Sequence, residues 1–146
     1  MGTVTNIGGI RIFIPAGDHC PPHVHASHRG EGWEAKFEFS FLDGQVRLKQ
    51  VLPAVLAPSK TTLDMAGGAI AANLGRCRNL WRRYYARTCL DNKWIRLSPK
   101  ERIEVLPKKP STGKVWRIVA SNYGPATGGI GLICESTTGQ VLGIDI

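Results

Sequence analysis

One run of nine residues limits the fold more than any other part of the chain: Trp33-Glu34-Ala35-Lys36-Phe37-Glu38-Phe39-Ser40-Phe41 alternates apolar and polar without a break. Successive side chains of a strand point to opposite faces, so this run reads as a strand whose Trp and Phe residues line a core. One strand cannot bury that set alone, and partners stand on both sides of it. Ile10-Arg11-Ile12-Phe13-Ile14, rich in β-branched residues and bounded by Gly9 and Pro15, reads as a strand. Pro21-Pro22 lacks two amide donors and has fixed φ angles, which excludes a helix, so His23-Val24-His25-Ala26 reads as extended. Arg29 to Gly32 and Asp43-Gly44 are turn signals, and Gln45 to Val51 reads as the returning strand.

A helix is expected next, from near Thr61 to Arg87. Leu63, Ala66, Ile70, Leu74, Cys77, Trp81 and Tyr84 recur at steps of three and four and form one apolar stripe, with Trp81 and Tyr84 read as core. Thr61-Thr62-Leu63-Asp64 resembles a capping box, and Gly67-Gly68 is where such a helix would break. Beyond it, residues 92–97, 115–120, 130–135 and 141–144 read as strands, with Leu106 to Gly113 as a loop. The glycine-rich stretch 122–129 does not match a phosphate-binding loop, because Ile130 follows Gly129 and no helix pattern comes after it. The expected fold class is therefore α+β: a small antiparallel sheet packed on one long helix, residues 1–90, followed by a basic, β-rich C-terminal extension, residues 91–146.

No apolar run approaches the ~20 residues of a membrane helix, and no secretory segment is visible, so a soluble, cytoplasmic protein is expected. Cys20, Cys77, Cys89 and Cys134 are scattered, without a Cys-x-x-Cys pair, and read as free thiols.

All four histidines fall in one short segment, Asp18-His19-Cys20-Pro21-Pro22-His23-Val24-His25-Ala26-Ser27-His28. His23 and His25 are two apart, so on a strand both rings face the same way and can bind one metal ion if a third ligand arrives. Asp18, His19, His28 and Glu34 are the reachable third ligands. A divalent metal, zinc or manganese, is the cofactor this pattern suits. Two other readings stand beside it: a proline-shaped turn capped by His and Asp side chains, and metal-free acid–base chemistry by Asp18, His19, His23 and His25.

Three stretches also carry a resemblance. Gly8-Gly9-Ile10-Arg11-Ile12-Phe13-Ile14, Gly17-Asp18-His19-Cys20-Pro21-Pro22-His23-Val24-His25-Ala26 and Trp33-Glu34-Ala35-Lys36-Phe37 together resemble domain-of-unknown-function family 4160, over roughly residues 8–86. The resemblance implies a bacterial or phage setting, often beside a second small protein in a toxin–antitoxin-like arrangement, with no established reaction. Members of the family end soon after the helix, whereas this chain continues.

The formal net charge of +8 lies wholly after residue 50, since residues 1–50 hold five basic and five acidic side chains. Arg76, Arg78, Arg82, Arg83 and Arg87 have no acid between them, and Lys93, Arg96, Lys100, Arg102, Lys108, Lys109, Lys114 and Arg117 follow. Such a basic surface suits a polyanion, so Arg76, Arg78, Arg82, Arg83, Arg87, Lys108 and Lys109 are candidate nucleic-acid contacts. The leading expectation is a small regulatory module, from a mobile-element, phage or toxin–antitoxin setting, that binds nucleic acid or a nucleoprotein complex. Its rivals are a metal-dependent hydrolase or nuclease built on His23 and His25, and a phage counter-defence protein that binds a host protein complex.

Overall fold

The aromatic alternation forms the strand expected of it. In the computed structural model, which describes residues 2–99 and 103–146, Trp33–Phe39 is β4, with Trp33, Ala35, Phe37 and Phe39 buried and Glu34 exposed. Phe41 is buried just beyond the strand end. Lys100 and Arg102 lie outside the described residues. The chain divides into two units, Met1–Arg87 and Thr88–Ile146.

The first unit is a five-stranded antiparallel sheet in chain order: β1 Gly2–Ile7, β2 Ile10–Ile14, β3 His23–His28, β4, and β5 Val46–Leu52. Gly8 and Gly9 both have positive φ (+53° and +80°), as a two-residue hairpin turn between twisted strands requires. Ile12, Ala26 and Ala35 align across β2, β3 and β4 and are fully buried. One residue along, Phe13, His25, Lys36 and Gln50 form a row across β2 to β5 on the opposite face.

The helical segment differs from the expectation: it is two helices, α1 Lys60–Ala72 and α2 Leu74–Tyr85. The break falls at Asn73, and Gly67-Gly68 stay helical. Asn73 has φ −119°, its side-chain Nδ2 donates to the Ala69 carbonyl at 2.8 Å, and its amide turns to Ile70 O at 3.0 Å. The side chain thus takes the i−4 acceptor that a continuous helix would give to the backbone amide. The N-cap is Ser59, which accepts from the Thr62 amide at 3.2 Å. Asp64 pairs with Lys60 at 2.7 Å instead of closing a capping box at Thr61. Ala66 and Ile70 of α1, and Cys77, Leu80 and Trp81 of α2, are buried. Tyr84, expected in the core, is exposed.

The second unit is a five-stranded antiparallel sheet in the order β10-β9-β8-β6-β7, with β6 Trp94–Leu97, β7 Ile103–Leu106, β8 Trp116–Gly124, β9 Gly129–Ser136 and β10 Val141–Asp145. Ile95, Trp116, Ile118, Leu132 and Cys134 are its buried residues of note. Much of the glycine-rich stretch is strand, because β8 runs through Gly124 and only residues 125–128 turn.

The expectation of free thiols holds for Cys77 and Cys134, both buried. It does not hold for Cys20 and Cys89, which are disulfide-bonded. Among the described residues, no helix is long and apolar enough to cross a membrane.

Candidate metal centre

The site begins with β3. Alternation puts the rings of His23 and His25 on one side of the strand, 5.3 Å apart between centroids. His23 is fully buried, packed against Trp81 of α2 at 5.4 Å. His25 is half-buried against Phe13, its cross-strand neighbour on β2, at 5.6 Å.

The segment before β3 folds back over these rings and delivers Asp18. One carboxylate oxygen of Asp18, Oδ2, lies 2.5 Å from His23 Nε2 and 3.1 Å from His25 Nε2. The other, Oδ1, accepts the His19 amide at 3.1 Å. Tyr85, the last residue of α2, holds this segment from the far side. Its hydroxyl accepts the Asp18 amide at 2.9 Å and donates to the Pro15 carbonyl. Tyr85 itself packs tilted against Trp81, with ring centroids 4.1 Å apart. The same pair of side chains therefore backs both His23 and the loop that carries Asp18.

The outer nitrogens of the two rings are also oriented. His23 Nδ1–H donates to the Pro21 carbonyl at 2.8 Å, and a carbonyl can only accept, so Nδ1 carries a proton. His23 Nε2 is then the nitrogen left to face Asp18. At 2.5 Å that nitrogen and the carboxylate oxygen stand closer than two ligands of one ion can, so the contact is a hydrogen bond with a proton between them. His25 Nδ1 faces Glu34 Oε1 at 3.6 Å, longer than a direct hydrogen bond.

Burial works against ionisation of Asp18, but the hydrogen bond and charge of His23, the His25 bond and the His19 amide outweigh it. The carboxyl is held below the usual carboxylate range. Asp18, His23 and His25 thus present three ligand atoms within 4.8 Å of one another, a spacing that one metal ion can bridge.

The other sequence candidates separate. His19 is exposed, its Nδ1–H donating to Cys20 O at 3.2 Å and its ring centroid 6.4 Å from that of His23. It borders the group without joining it. His28 stands at the other end of β3, where its Nδ1 accepts the Glu31 amide at 3.0 Å and its ring lies beside Trp33. Glu34 stands behind His25 and does not share the inner face with Asp18. The sequence reading named Asp18 among several third ligands. It missed Tyr85 and Pro21 as the groups that aim the donors.

The arginines of α2 also divide. Arg76 donates from Nε and an Nη to the Thr3 carbonyl (3.2 and 3.0 Å), and Arg78 donates to the carbonyls of Ser40 and Asp43 (2.7 to 3.0 Å). Both tie α2 to the sheet unit. Arg82 is half-buried, while Arg83 and Arg87 are exposed. Lys108 and Lys109 belong to the second unit, where Lys109 sits over the Trp94 ring at 5.3 Å.

The molecule is thus of the class of small α+β proteins with a two-histidine, one-carboxylate cluster on a sheet. Residues 9–54 match the family model described as Domain of unknown function (DUF4160), which is the family the sequence resembles. The match contains Asp18, His23 and His25 and stops before α1. No curated protein matches the chain. No solved structure matches it either.

Proposed function

We propose that this protein is a metal-dependent hydrolase whose divalent ion is held by Asp18, His23 and His25. The observation that carries the reading is the convergence of both inner Nε2 atoms on a single carboxylate oxygen, with the outer Nδ1 of His23 fixed on a backbone carbonyl. Metal-binding histidines are oriented in this way, with one nitrogen for the ion and the other donating to an oxygen behind it.

Two imidazoles and one carboxylate suit zinc first and manganese second. Three protein donors leave a coordination position for water, and a bound divalent ion brings the pKa of such a water toward ~7. The chain supplies the rest. Donor atoms around a tetrahedral ion stand about 3.4 Å apart, by the bond lengths usual for zinc. The Asp18 carboxylate therefore needs to move outward from His23 by roughly 1 Å, while its backbone stays fixed by Tyr85. Trp81 and Phe13 wall the rings and limit water access to the buried side.

The nucleic-acid reading has weaker support, because Arg76 and Arg78, two of its candidates, are anchored on main-chain carbonyls. The test is elemental analysis of tag-free protein beside a His23→Ala/His25→Ala variant. About one equivalent of zinc or manganese in the first and none in the second is expected. Stoichiometric metal in both would sink the ligand assignment, and metal in neither would sink the proposal.

A further inference from the structure

The metal cluster is bordered by an unneutralised cation. Lys36 of β4 is the direct cross-strand partner of His25, so both side chains rise from the same face of the sheet, their Cβ atoms about 5 Å apart. Lys36 is half-buried and makes no ion pair or side-chain hydrogen bond among the described residues. Neither of its two acidic neighbours on that face forms an ion pair with it. Glu38 pairs with Lys49 at 3.3 Å, and Glu34 stands toward His25 Nδ1 at 3.6 Å.

A second cation lies on the other side of His25. Arg11 of β2 shares this face with Phe13, its guanidinium 5.0 Å from the Phe13 ring centroid and donating to Thr3 Oγ1 at 3.0 Å.

Resting on the metal reading above, we infer that the substrate is a phosphoryl ester and that Lys36 is its second anchor beside the ion. A half-buried lysine that makes no ion pair among the described residues favours an anion arriving next to its ammonium. A phosphoryl group carries enough unesterified oxygens to meet the metal with one and Lys36 with another. A neutral ester or amide would leave the ammonium unmatched. Hydrolysis then forms one P–O bond to the water oxygen and breaks the P–O bond to the leaving alcohol. The water's proton ends on that alcohol, and nothing is oxidised or reduced.

Inorganic phosphate is the probe. Cobalt(II)-loaded wild type, Lys36→Met and Lys36→Arg are titrated with phosphate, and with acetate in parallel, while the visible absorption of the cobalt is followed. Cobalt affinity is measured first and is expected to be equal in all three, since Lys36 is not a ligand. Phosphate should perturb the wild-type spectrum, bind Lys36→Met about tenfold to a hundredfold more weakly, and recover much of its affinity in Lys36→Arg. Equal phosphate affinity in wild type and Lys36→Met overturns the inference, as does a cobalt-loaded wild type that ignores phosphate; the metal reading survives both. Acetate that binds as tightly as phosphate, with the same dependence on Lys36, overturns the phosphoryl assignment. Wild type that takes up no cobalt removes the metal reading and this inference with it.

Discussion

Tyr85→Phe separates a positioned site from a merely folded one. The substitution keeps the ring on Trp81 and removes one oxygen, which accepts the Asp18 amide at 2.9 Å and donates to the Pro15 carbonyl. Each such bond contributes about 0.5–1.5 kcal/mol net, so the metal-free protein should lose roughly 1–3 kcal/mol of stability. The larger effect should fall on metal binding. Without the hydroxyl, the segment 15–18 is no longer tied to α2, and Asp18 must be ordered at the moment the ion binds. Groups that hold metal ligands in place are worth about tenfold to a hundredfold in affinity. Equilibrium urea unfolding of the metal-free proteins gives the first number, and zinc titration against a competing chelator gives the second. A variant that loses stability as expected but binds zinc within about twofold of wild type would show that Tyr85 is only a structural residue and that Asp18 is not held for a ligand's role.

Three further outcomes are expected. Phe39→Asp should prevent folding, because Phe39 is 4 % exposed in the sheet core and an unpaired charge buried there costs several kcal/mol; a cooperative melt of soluble variant contradicts the core assignment. Asp18→Asn should destabilise metal-free protein at neutral pH but not in acid. The folded state holds the Asp18 carboxyl below its usual range, so the carboxylate's stabilisation is complete above about pH 4 and is lost as pH falls through the lower folded value; a wild-type-to-variant gap that widens below about pH 4 reverses this sign. Asn73→Ala should return the Ala69 carbonyl to a backbone donor and raise the helical signal in circular dichroism, whereas an unchanged or lower signal means that tertiary packing, and not the Asn73 side chain, sets the break.

The strands of the first unit were legible because their pattern is local. Trp33 to Phe41 alternates over its whole length, and Pro21-Pro22 leaves His23 to Ala26 little choice but to extend. β1 was not legible, since Gly-Thr-Val-Thr-Asn-Ile holds only two large apolar residues and becomes a strand by pairing with β2. β7, only Ile-Glu-Val-Leu, is shorter still and is set by β6. The helix break was hidden for another reason. Ile70, Leu74 and Cys77 keep the helical spacing across it, and the break comes from one side-chain bond, Asn73 to Ala69, which periodicity does not register.

The site divides along the same line. His23 and His25 share a face by strand geometry alone, so the pair could be read from its spacing. The choice of Asp18 over Glu34, His19 and His28 could not. It depends on how residues 15–18 fold back, and that path is held by Tyr85, sixty-seven positions along the chain. Lys36 was visible only as a polar residue in an alternating run. Its place beside His25 follows from the register between β3 and β4, which the sequence does not state.

X-ray absorption at the zinc edge of the metal-loaded protein tests the central claim most directly. The account predicts two imidazole nitrogens and one or two oxygens near 2.0–2.2 Å, with the imidazole signal lost in His23→Ala/His25→Ala. A sulfur shell near 2.3 Å, or an imidazole count that does not change in that variant, would place the ion elsewhere and contradict the account.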